Sequence, residues 1–194
     1  MRLQEKWFSL SRIMVPIALN PVMAGMAVAG RGQPALRRFN ALCAGGARGL
    51  PLFTDRPGGL EAAGPALCPR LPAEADLVSL RVLWIAGLAD EMATGLAALA
   101  RSCRVLVNVE DRPDLCDFHS VAEVRRGDLL LTVSTGGASP GLAARLRARL
   151  AAEFGPEWAE RVALLRQRRV AWRRQGLDLA ASTDALLQAN GWLT

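Results

Sequence analysis

The chain has 194 residues, of which 51% are apolar, and it carries a net charge of +6 at pH 7. This composition excludes a disordered chain and is enough for the core of one α/β domain plus a smaller unit. Most of the positive charge is arginine, but no basic run interleaved with aromatic residues indicates a nucleic-acid surface. An anionic small molecule, such as a dinucleotide or a polycarboxylate, accounts for the charge equally well, and so do solvated helix faces.

The four cysteines are spread along the sequence and include no C-x-x-C pair: Cys43, Cys68, Cys103 and Cys116. This spacing predicts neither a zinc site nor a disulfide framework. We therefore expect no bound metal and a reducing, cytoplasmic environment.

The N-terminal residues could also be interpreted as a secretory signal peptide. Residues 1–12 carry positive charge, residues 14–30 carry none, and Ala27-Val28-Ala29 resembles a signal-peptidase site. Against a secretory signal, Glu5 lies in the charged segment and Asn20-Pro21 breaks the apolar run. The run is also short for a membrane span and contains two prolines. We expect no membrane association.

Residues 1–13 are predicted to be an extension, and residues 56–76, rich in Pro, Gly and Ala, a loop. Predicted strands cover residues 22–29, 50–54, 80–86, 104–109 and 128–134, with Pro51 shortening the second. Predicted helices cover residues 36–44, ended by Gly45-Gly46, and 89–102, and everything beyond residue 141 is predicted helical, with breaks at Gly155-Pro156 and Gly176. Alternating strands and helices predict an α/β fold with a parallel sheet of right-handed βαβ units.

A glycine turn, Gly30-Arg31-Gly32-Gln33-Pro34-Ala35, joins the first predicted strand to the first predicted helix. In this context G-x-G-x-x-A indicates a dinucleotide fingerprint. The first Gly permits a tight turn, the second lets the backbone approach a pyrophosphate, and the small residue lets helix and strand pack closely. The predicted cofactor-binding residues here are Gly30, Gly32, Gln33 and Pro34. An ordinary strand–helix connection is the alternative.

Thr54 ends the second predicted strand, and Asp55 follows it, 25 residues after Gly30. An acidic residue about 20 residues beyond the fingerprint binds the adenosine ribose, so both residues are predicted to bind the cofactor. A turn aspartate in the stretch 55–59 is the alternative. Because a carboxylate would repel a 2′-phosphate, Asp55 predicts that NAD⁺ is preferred over NADP⁺.

Further turns follow predicted strands at Asp111 and Thr135. Ligands of parallel sheets lie beyond the carboxyl ends of the strands. We therefore expect one crevice to collect the turns at Gly30, Asp111 and Thr135.

Residues 126–140 read R-G-D-L-L-L-T-V-S-T-G-G-A-S-P. This stretch resembles the strand–turn–helix of precorrin-2 dehydrogenases, the module that also forms the dehydrogenase and ferrochelatase half of siroheme synthase. Three other segments agree with that family in order and spacing: Pro16-Ile17, Arg37-Arg38, and Asn108-Val109-Glu110-Asp111 with Phe118. The chain departs from the family pattern at Arg31 (a Gly in the family), at Pro51, at the shortened loop 86–90 and at Val121 (a Pro in the family).

The resemblance implies a Rossmann-like NAD-binding domain at residues 14–112, a dimerisation region at 113–150 and a small helical domain at 151–194, assembled as a homodimer. It implies NAD⁺-dependent oxidation of precorrin-2 to sirohydrochlorin, and leaves open iron insertion, a second activity of some members. One alternative is a diverged relative that binds a tetrapyrrole without dehydrogenating it. Another is a generic Rossmann redox sensor or ligand-binding module.

By position, Asp111 matches the family's catalytic aspartate and is predicted to act as general base; a helix-capping or turn Asp is the alternative. For His119, the only histidine, a solvent-facing or packed side chain is favoured over a role in proton transfer or metal binding. The predicted substrate-binding residues are Ser134, Thr135, Gly136 and Ser139. Thr135 stands where siroheme synthases can carry a phosphorylated serine, and helix capping is the alternative for these hydroxyls.

Arginines beyond residue 141 either bind the carboxylates of precorrin-2 or form solvated ion pairs.

Overall fold

A computed structural model describes residues 14–193. The predicted extension at residues 1–13 lies outside the described residues. The chain divides into two compact units, one ending at Ser120 and the other beginning at Val121. The functional boundaries predicted at residues 112 and 150 stay predictions.

The first unit contains a five-stranded sheet in which all paired strands are parallel, in the order β3-β2-β1-β4-β5. Its strands are β1 (Met26–Gly30), β2 (Leu52–Phe53), β3 (Leu67–Cys68), β4 (Val82–Ala86) and β5 (Leu106–Val109). Every residue of β1 and β4 is buried, as expected for central strands of a parallel sheet covered on both faces. The predicted Rossmann-like α/β fold is confirmed.

The helices of this unit are α1 (Gly32–Ala44), α2 (Glu74–Leu77) and α3 (Asp90–Ser102), with short 3₁₀ turns at Glu61–Ala66 and Pro113–Leu115. Alternate residues of β1 belong to different core clusters. Met26 and Val28 join the cluster that contains Phe39 of α1, whereas Ala27 and Ala29 join the cluster that contains Leu96 of α3. Successive strand residues point to opposite faces, so α1 and α3 cover opposite sides of the sheet.

The predicted first strand is too long at its start. Residues 21–24 form a turn in which Asn20 accepts the N–H of Val22 on its side chain (3.0 Å) and the N–H of Ala24 on its backbone carbonyl (2.9 Å). Asn-Pro favours turn initiation because the Asn side chain caps local N–H groups. Val22 and Met23 are consequently exposed instead of buried in a strand.

The second strand is short, as Pro51 predicted. Pro51 has no N–H to donate, but its carbonyl accepts the N–H of Val28 (3.0 Å). The region 56–76, predicted as loop, contains the edge strand β3 and helix α2, both too short for their periodicity to show in the sequence.

The second unit begins with an antiparallel hairpin, β6 (Ala122–Arg126) and β7 (Leu129–Val133), with Val124 opposite Leu131. It continues with α4 (Pro140–Glu153), α5 (Trp158–Arg174) and α6 (Leu179–Asn190), which confirms the predicted helical region and its breaks. Among residues 14–193, no helix combines the length and apolarity needed to cross a membrane.

The expectation that residues 128–134 continue the parallel sheet is wrong. β7 pairs with β6 alone, in a separate two-stranded sheet. The connection is only Gly127-Asp128, with Gly127 at φ +56°, and so short a link joins antiparallel strands, whereas a parallel pair needs a crossover of a dozen residues or more. Thr135 therefore does not follow a strand of the sheet that carries Gly30 and Asp111.

Candidate functional site

A cleft of about 420 Å³ opens at the carboxyl ends of β1, β2 and β4. β1 and β4 are neighbours although β2 and β3 lie between them in sequence, so the strand order reverses here. This reversal is the place where ligands bind in open α/β sheets. The cleft is lined by Arg31, Gly32, Pro34, Arg56, Gly58 and Gly87.

Gly30 ends β1 in tight packing. A Cβ at this position would overlap the carbonyl oxygen of Ala86 and would lie 3.0 Å from the Cβ of Ala35. Ala35 is fully buried, and the N–H of Arg31 donates to the Ala86 carbonyl at 3.0 Å. This is the close strand–helix packing that the fingerprint requires of its first Gly and its final small residue.

Gly32 opens α1 with a left-handed φ of +57°. The N–H groups of Gly32 and Gln33 have no carbonyl four residues earlier within the helix, Pro34 has no N–H, and no acidic residue lies in the first turn. The helix N-terminus therefore presents backbone donors and a positive dipole end without a competing carboxylate. These are the requirements of a pyrophosphate site.

Gly87, which sequence reasoning did not assign to the site, follows β4 with φ +69° and packs closely on the carbonyl of Arg31. Arg56 and Gly58 of the loop after β2 were missed as well. A glycine directly after a second buried strand is the signal that could have identified Gly87. No local pattern marks the other two.

Asp55 lies beyond the carboxyl end of β2, as predicted, but it is paired with Arg31. Nε of Arg31 donates to Oδ1 of Asp55 at 2.7 Å, and a terminal guanidinium nitrogen donates to Oδ2 at 2.5 Å. The same nitrogen lies 3.2 Å from Sδ of Met92 in α3. The hydrogen bond from Arg31 lowers the pKa of Asp55, and the pair raises the pKa of Arg31.

Thr54 is fully buried, and its hydroxyl is bound to the backbone of Arg56. The hydroxyl donates to the Arg56 carbonyl at 3.2 Å and accepts the Arg56 N–H at 3.1 Å. This turn positions Asp55 and Arg56 and leaves the hydroxyl inside the protein. Binding of a cofactor by Thr54 itself stays a prediction.

Asp111 follows β5 at the same edge of the sheet. Its side chain is exposed and its φ is +59°, in the left-handed region that few residues other than Gly adopt. The preceding Glu110 approaches Arg37 at 3.9 Å. The following Arg112 is held by Asp114 (2.7 Å) and Asp90 (3.4 Å).

The segment after Asp111 folds back onto β5. Nδ2 of Asn108 donates to the Phe118 carbonyl at 2.9 Å, and Asp117 accepts the N–H of Val107 at 2.9 Å. The ring of Phe118 packs edge-on against Trp84, with centroids 5.2 Å apart. Asn108 and Phe118, two residues of the matched motif, thus hold the turn that presents Asp111.

In the second unit, the hydroxyl groups of the turn after β7 form hydrogen bonds with the backbone of the same turn and of the start of α4. Thr135 Oγ1 donates to the Ser139 carbonyl and accepts the Ser139 N–H, both at 3.1 Å. Ser134 Oγ accepts the Gly136 N–H, and Ser139 Oγ caps α4 by accepting the Leu142 N–H, both at 3.2 Å. Helix capping is thereby confirmed for Ser139. Substrate binding by these residues stays a prediction.

The arginines of the second unit contact three kinds of group: aromatic rings, a carboxylate and backbone carbonyls. The guanidinium of Arg161 lies 4.9 Å from the ring centroid of Trp158 and 5.1 Å from that of Trp192. Arg166 pairs with Asp128. Arg126 donates to the carbonyls of Phe154 (2.9 Å) and Ala151 (3.1 Å), at the end of α4. These arginines support the fold, and several on α4 and α5 remain exposed.

His119 is half-buried. Within residues 14–193, no group of three or more His, Cys, Asp or Glu side chains is placed to hold a metal ion.

Comparisons with known proteins agree with this geometry. Residues 17–122 match the family model described as "Putative NAD(P)-binding", and residues 126–153 match that described as "Sirohaem biosynthesis protein central". The siroheme synthase of Nitrosomonas europaea is 33% identical over 143 residues, which is 71% of this chain and 30% of that protein. The siroheme biosynthesis protein met8 of Schizosaccharomyces pombe is 37% identical over 73 residues, 36% of this chain and 28% of that protein.

A solved structure named "SirC, precorrin-2 dehydrogenase" shares the fold, with a TM-score of 0.67 at 22% identity over 90% of this chain and 88% of that one. The chain spans about 30% or less of the length of the siroheme synthases of Nitrosomonas europaea and Thioalkalivibrio sulfidiphilus. The first family model covers more than half of the chain, and the second covers the S-T-G-G-A-S-P turn. The chain therefore belongs to the family of NAD(P)-binding sirohaem biosynthesis proteins that the sequence resemblance predicted.

Proposed function

We propose that the chain is a precorrin-2 dehydrogenase, which oxidises precorrin-2 to sirohydrochlorin with NAD⁺ in siroheme or cobalamin synthesis. The observation that carries this proposal is the order of groups along the carboxyl edge of the sheet. Asp55 follows β2, the N-terminus of α1 follows β1, and Asp111 follows β5. With about 4.8 Å between neighbouring strands, a dinucleotide laid along this edge would run from Asp55 towards Asp111.

The residues of the cleft fit such a cofactor. The unpaired N–H groups of Gly32 and Gln33 would hold the pyrophosphate. The tight packing at Gly30 and Gly87 brings two backbone turns to the floor of the cleft. Asp55 would lie beside the adenosine ribose. Thr54 would act indirectly, through the turn that places Asp55.

NAD⁺, when bound, supplies the hydride acceptor of the reaction. Precorrin-2 loses a hydride and a proton, and this loss leaves one further double bond in sirohydrochlorin. Asp111 would accept the proton as general base, because its carboxylate is exposed at the β5 end of the edge. Asn108 and Phe118 act as positioning residues, since their hydrogen bond holds the turn after β5.

A homodimer is part of this proposal. Among residues 121–193, only Val124 and Trp158 are buried apolar residues, and α4 and α6 bury none. Leu142 and Leu146, one turn apart on α4, are 49% and 40% exposed. A second copy of the chain would cover this face. Ser134, Thr135, Gly136 and Ser139 are proposed to bind the substrate through the turn that precedes α4.

The reducing cytoplasm is the proposed location. All four cysteines are free thiols, and the resemblance is to enzymes of an intracellular biosynthesis.

A second candidate function, binding of a tetrapyrrole without dehydrogenation, is favoured by one observation. Arg31 occupies both oxygens of Asp55, the residue proposed to bind the ribose. Titration with dinucleotide separates the two functions: the non-dehydrogenase predicts no binding up to millimolar concentration.

The direct test is an anaerobic assay of the purified chain with precorrin-2 and NAD⁺, followed by the absorbance of sirohydrochlorin. We expect NADH and sirohydrochlorin to form in equal amounts. Dinucleotide binding without product would refute the dehydrogenase and leave a binding protein.

A further inference from the structure

The charge of the cleft differs from what Asp55 alone predicts. Its charged lining residues are Arg31 and Arg56, and no carboxylate is among the six lining residues. Both oxygens of Asp55 accept guanidinium N–H groups of Arg31. Arg56 is close enough to contribute to the lowered pKa of Asp55.

We propose that this chain accepts NADP⁺ as well as NAD⁺, and that Arg31 is the residue that permits it. The proposal rests on the dinucleotide site of the proposed function and specifies the class of cofactor which that site takes. The sequence alone, with Asp55 as a bare carboxylate, predicts a preference for NAD⁺ over NADP⁺.

The physical reason is the sign of the charge beside the adenosine ribose. A bare carboxylate after the second strand binds the ribose 2′-hydroxyl and repels a 2′-phosphate, whereas a nearby arginine accommodates the phosphate. In this chain the Arg31–Asp55 pair has no net charge, and Arg56 adds one positive charge. Guanidinium groups bind phosphate oxygens through paired, charge-assisted hydrogen bonds.

Arg31 is also held in place. Its side chain is 17% exposed, and the guanidinium is fixed by Asp55 on one side and approached by Met92 of α3 at 3.2 Å. β1 and β2 are adjacent strands, so a residue directly after β1 reaches the end of β2 without displacing the backbone. The cation is therefore a fixed part of the ribose side of the cleft.

The test measures dissociation constants of NAD⁺ and NADP⁺ for the purified wild-type chain and for Arg31→Ala by calorimetry, without precorrin-2. In the wild type we expect the two constants to agree within about tenfold. Arg31→Ala leaves the Asp55 carboxylate without its neutralising cation, so the binding of NADP⁺ should weaken relative to that of NAD⁺ by about tenfold or more. Asp55→Asn, which keeps Arg31, should shift the ratio towards NADP⁺.

Arg48→Ala is the matched control, because Arg48 is an exposed arginine of the same unit that does not line the cleft. It should leave the ratio unchanged. Thermal melting of each variant checks folding, and Asp55→Asn carries the test if Arg31→Ala does not fold.

Two results overturn the proposal: a wild-type preference for NAD⁺ of 100-fold or more, or a ratio of the two dissociation constants that Arg31→Ala leaves unchanged, whether or not both dinucleotides bind more weakly. A ratio that moves as expected in a chain that does not oxidise precorrin-2 would support this inference and refute only the proposed activity. If neither dinucleotide binds, both fail.

Discussion

Asp111 is the residue on which the proposed chemistry depends, and two of its properties are unusual together. Its carboxylate is exposed, and its backbone has a left-handed φ of +59°. Non-glycine residues in this region are retained where the surrounding structure over-determines them, often at functional sites. Here the surrounding structure is the return of the chain onto β5 through Asn108 and Phe118.

Asp111→Asn should lower the turnover of precorrin-2 by at least about 100-fold, because an amide cannot accept the proton. The dissociation constant of NAD⁺ should stay within about threefold, since no contact of the pyrophosphate or the adenosine ribose is altered. Asn tolerates the left-handed conformation, so the unfolding free energy should change by less than about 0.5 kcal/mol. Single-turnover kinetics and calorimetry measure these effects.

Asp111→Ala should lose turnover to the same extent and should also be less stable than Asp111→Asn, because alanine adopts the left-handed region at greater cost. A variant at this position with wild-type turnover would exclude Asp111 as the base.

Gly30→Ala should destabilise the chain by about 1–3 kcal/mol, because the added methyl overlaps the Ala86 carbonyl and presses on Ala35. Gly58→Ala is its control: Gly58 lines the same cleft, but a Cβ there has no atom within 4 Å. That substitution should stay within about 0.5 kcal/mol. Urea denaturation of both variants measures the difference, and equal stability would contradict the packing argument for Gly30.

Among the secondary-structure elements, the four-residue helix α2 is stabilised by the carboxylate of Asp76. Asp76 accepts the N–H of Ala73 at 2.7 Å and both terminal nitrogens of Arg70 at 2.6 and 2.8 Å. The hydrogen bonds from Arg70, and then that from Ala73, lower the pKa of Asp76 to about 2 from an ordinary value of 3.8. The folded state therefore favours the ionised carboxylate.

Because the pKa of Asp76 is lower in the folded state, its contribution to stability is complete above about pH 4 and is lost as the pH falls towards 2. Asp76→Asn keeps an acceptor for Ala73 and removes the charge. The variant should lose less stability than the wild type between pH 5 and pH 3, as measured by urea unfolding at both values. An unchanged pH dependence would show that the pair with Arg70 contributes nothing in solution.

At the scale of the whole molecule, the two units differ in how much apolar surface they bury. The first unit has a core cluster on each face of its sheet, whereas the described part of the second, residues 121–193, has two buried apolar residues. Exposed leucines on a helix beside so few buried apolar residues are typical of a surface that a second subunit covers. This contrast is the physical basis of the proposed homodimer.

Replacing Leu142 and Leu146 together by Asp should convert the dimer to monomer at micromolar concentration, because charges would replace apolar contacts in the interface. The control replaces Ala144 and Ala148 by Asp. Both alanines are exposed on α4, about 200° around the helix axis from the two leucines. Light scattering after gel filtration gives the mass of each variant. A wild-type monomer, or a dimer indifferent to the leucine substitutions, would contradict the proposal.

The parallel sheet, its glycine turn and the family could all be predicted from the sequence. Apolar runs such as residues 82–86 and the turns that hold Gly30, Asp55 and Asp111 are local signals, because strand length, turn chemistry and strand-end residues are set within a few positions. Pro51 predicted a short strand for the same reason, because the absence of its N–H removes a sheet hydrogen bond at that position.

The pairing of the strands and the pairing of the charges follow from the three-dimensional fold and could not be read from the sequence. β7 has the composition of a sheet strand, but the two-residue link to β6 places it in a second sheet. Arg31 and Asp55 are 24 residues apart, and their pairing follows from β1 and β2 being neighbours in the sheet. A carboxylate that the sequence presents as bare is therefore neutralised in the fold, because electrostatic partners are chosen by distance in space and not by distance along the chain.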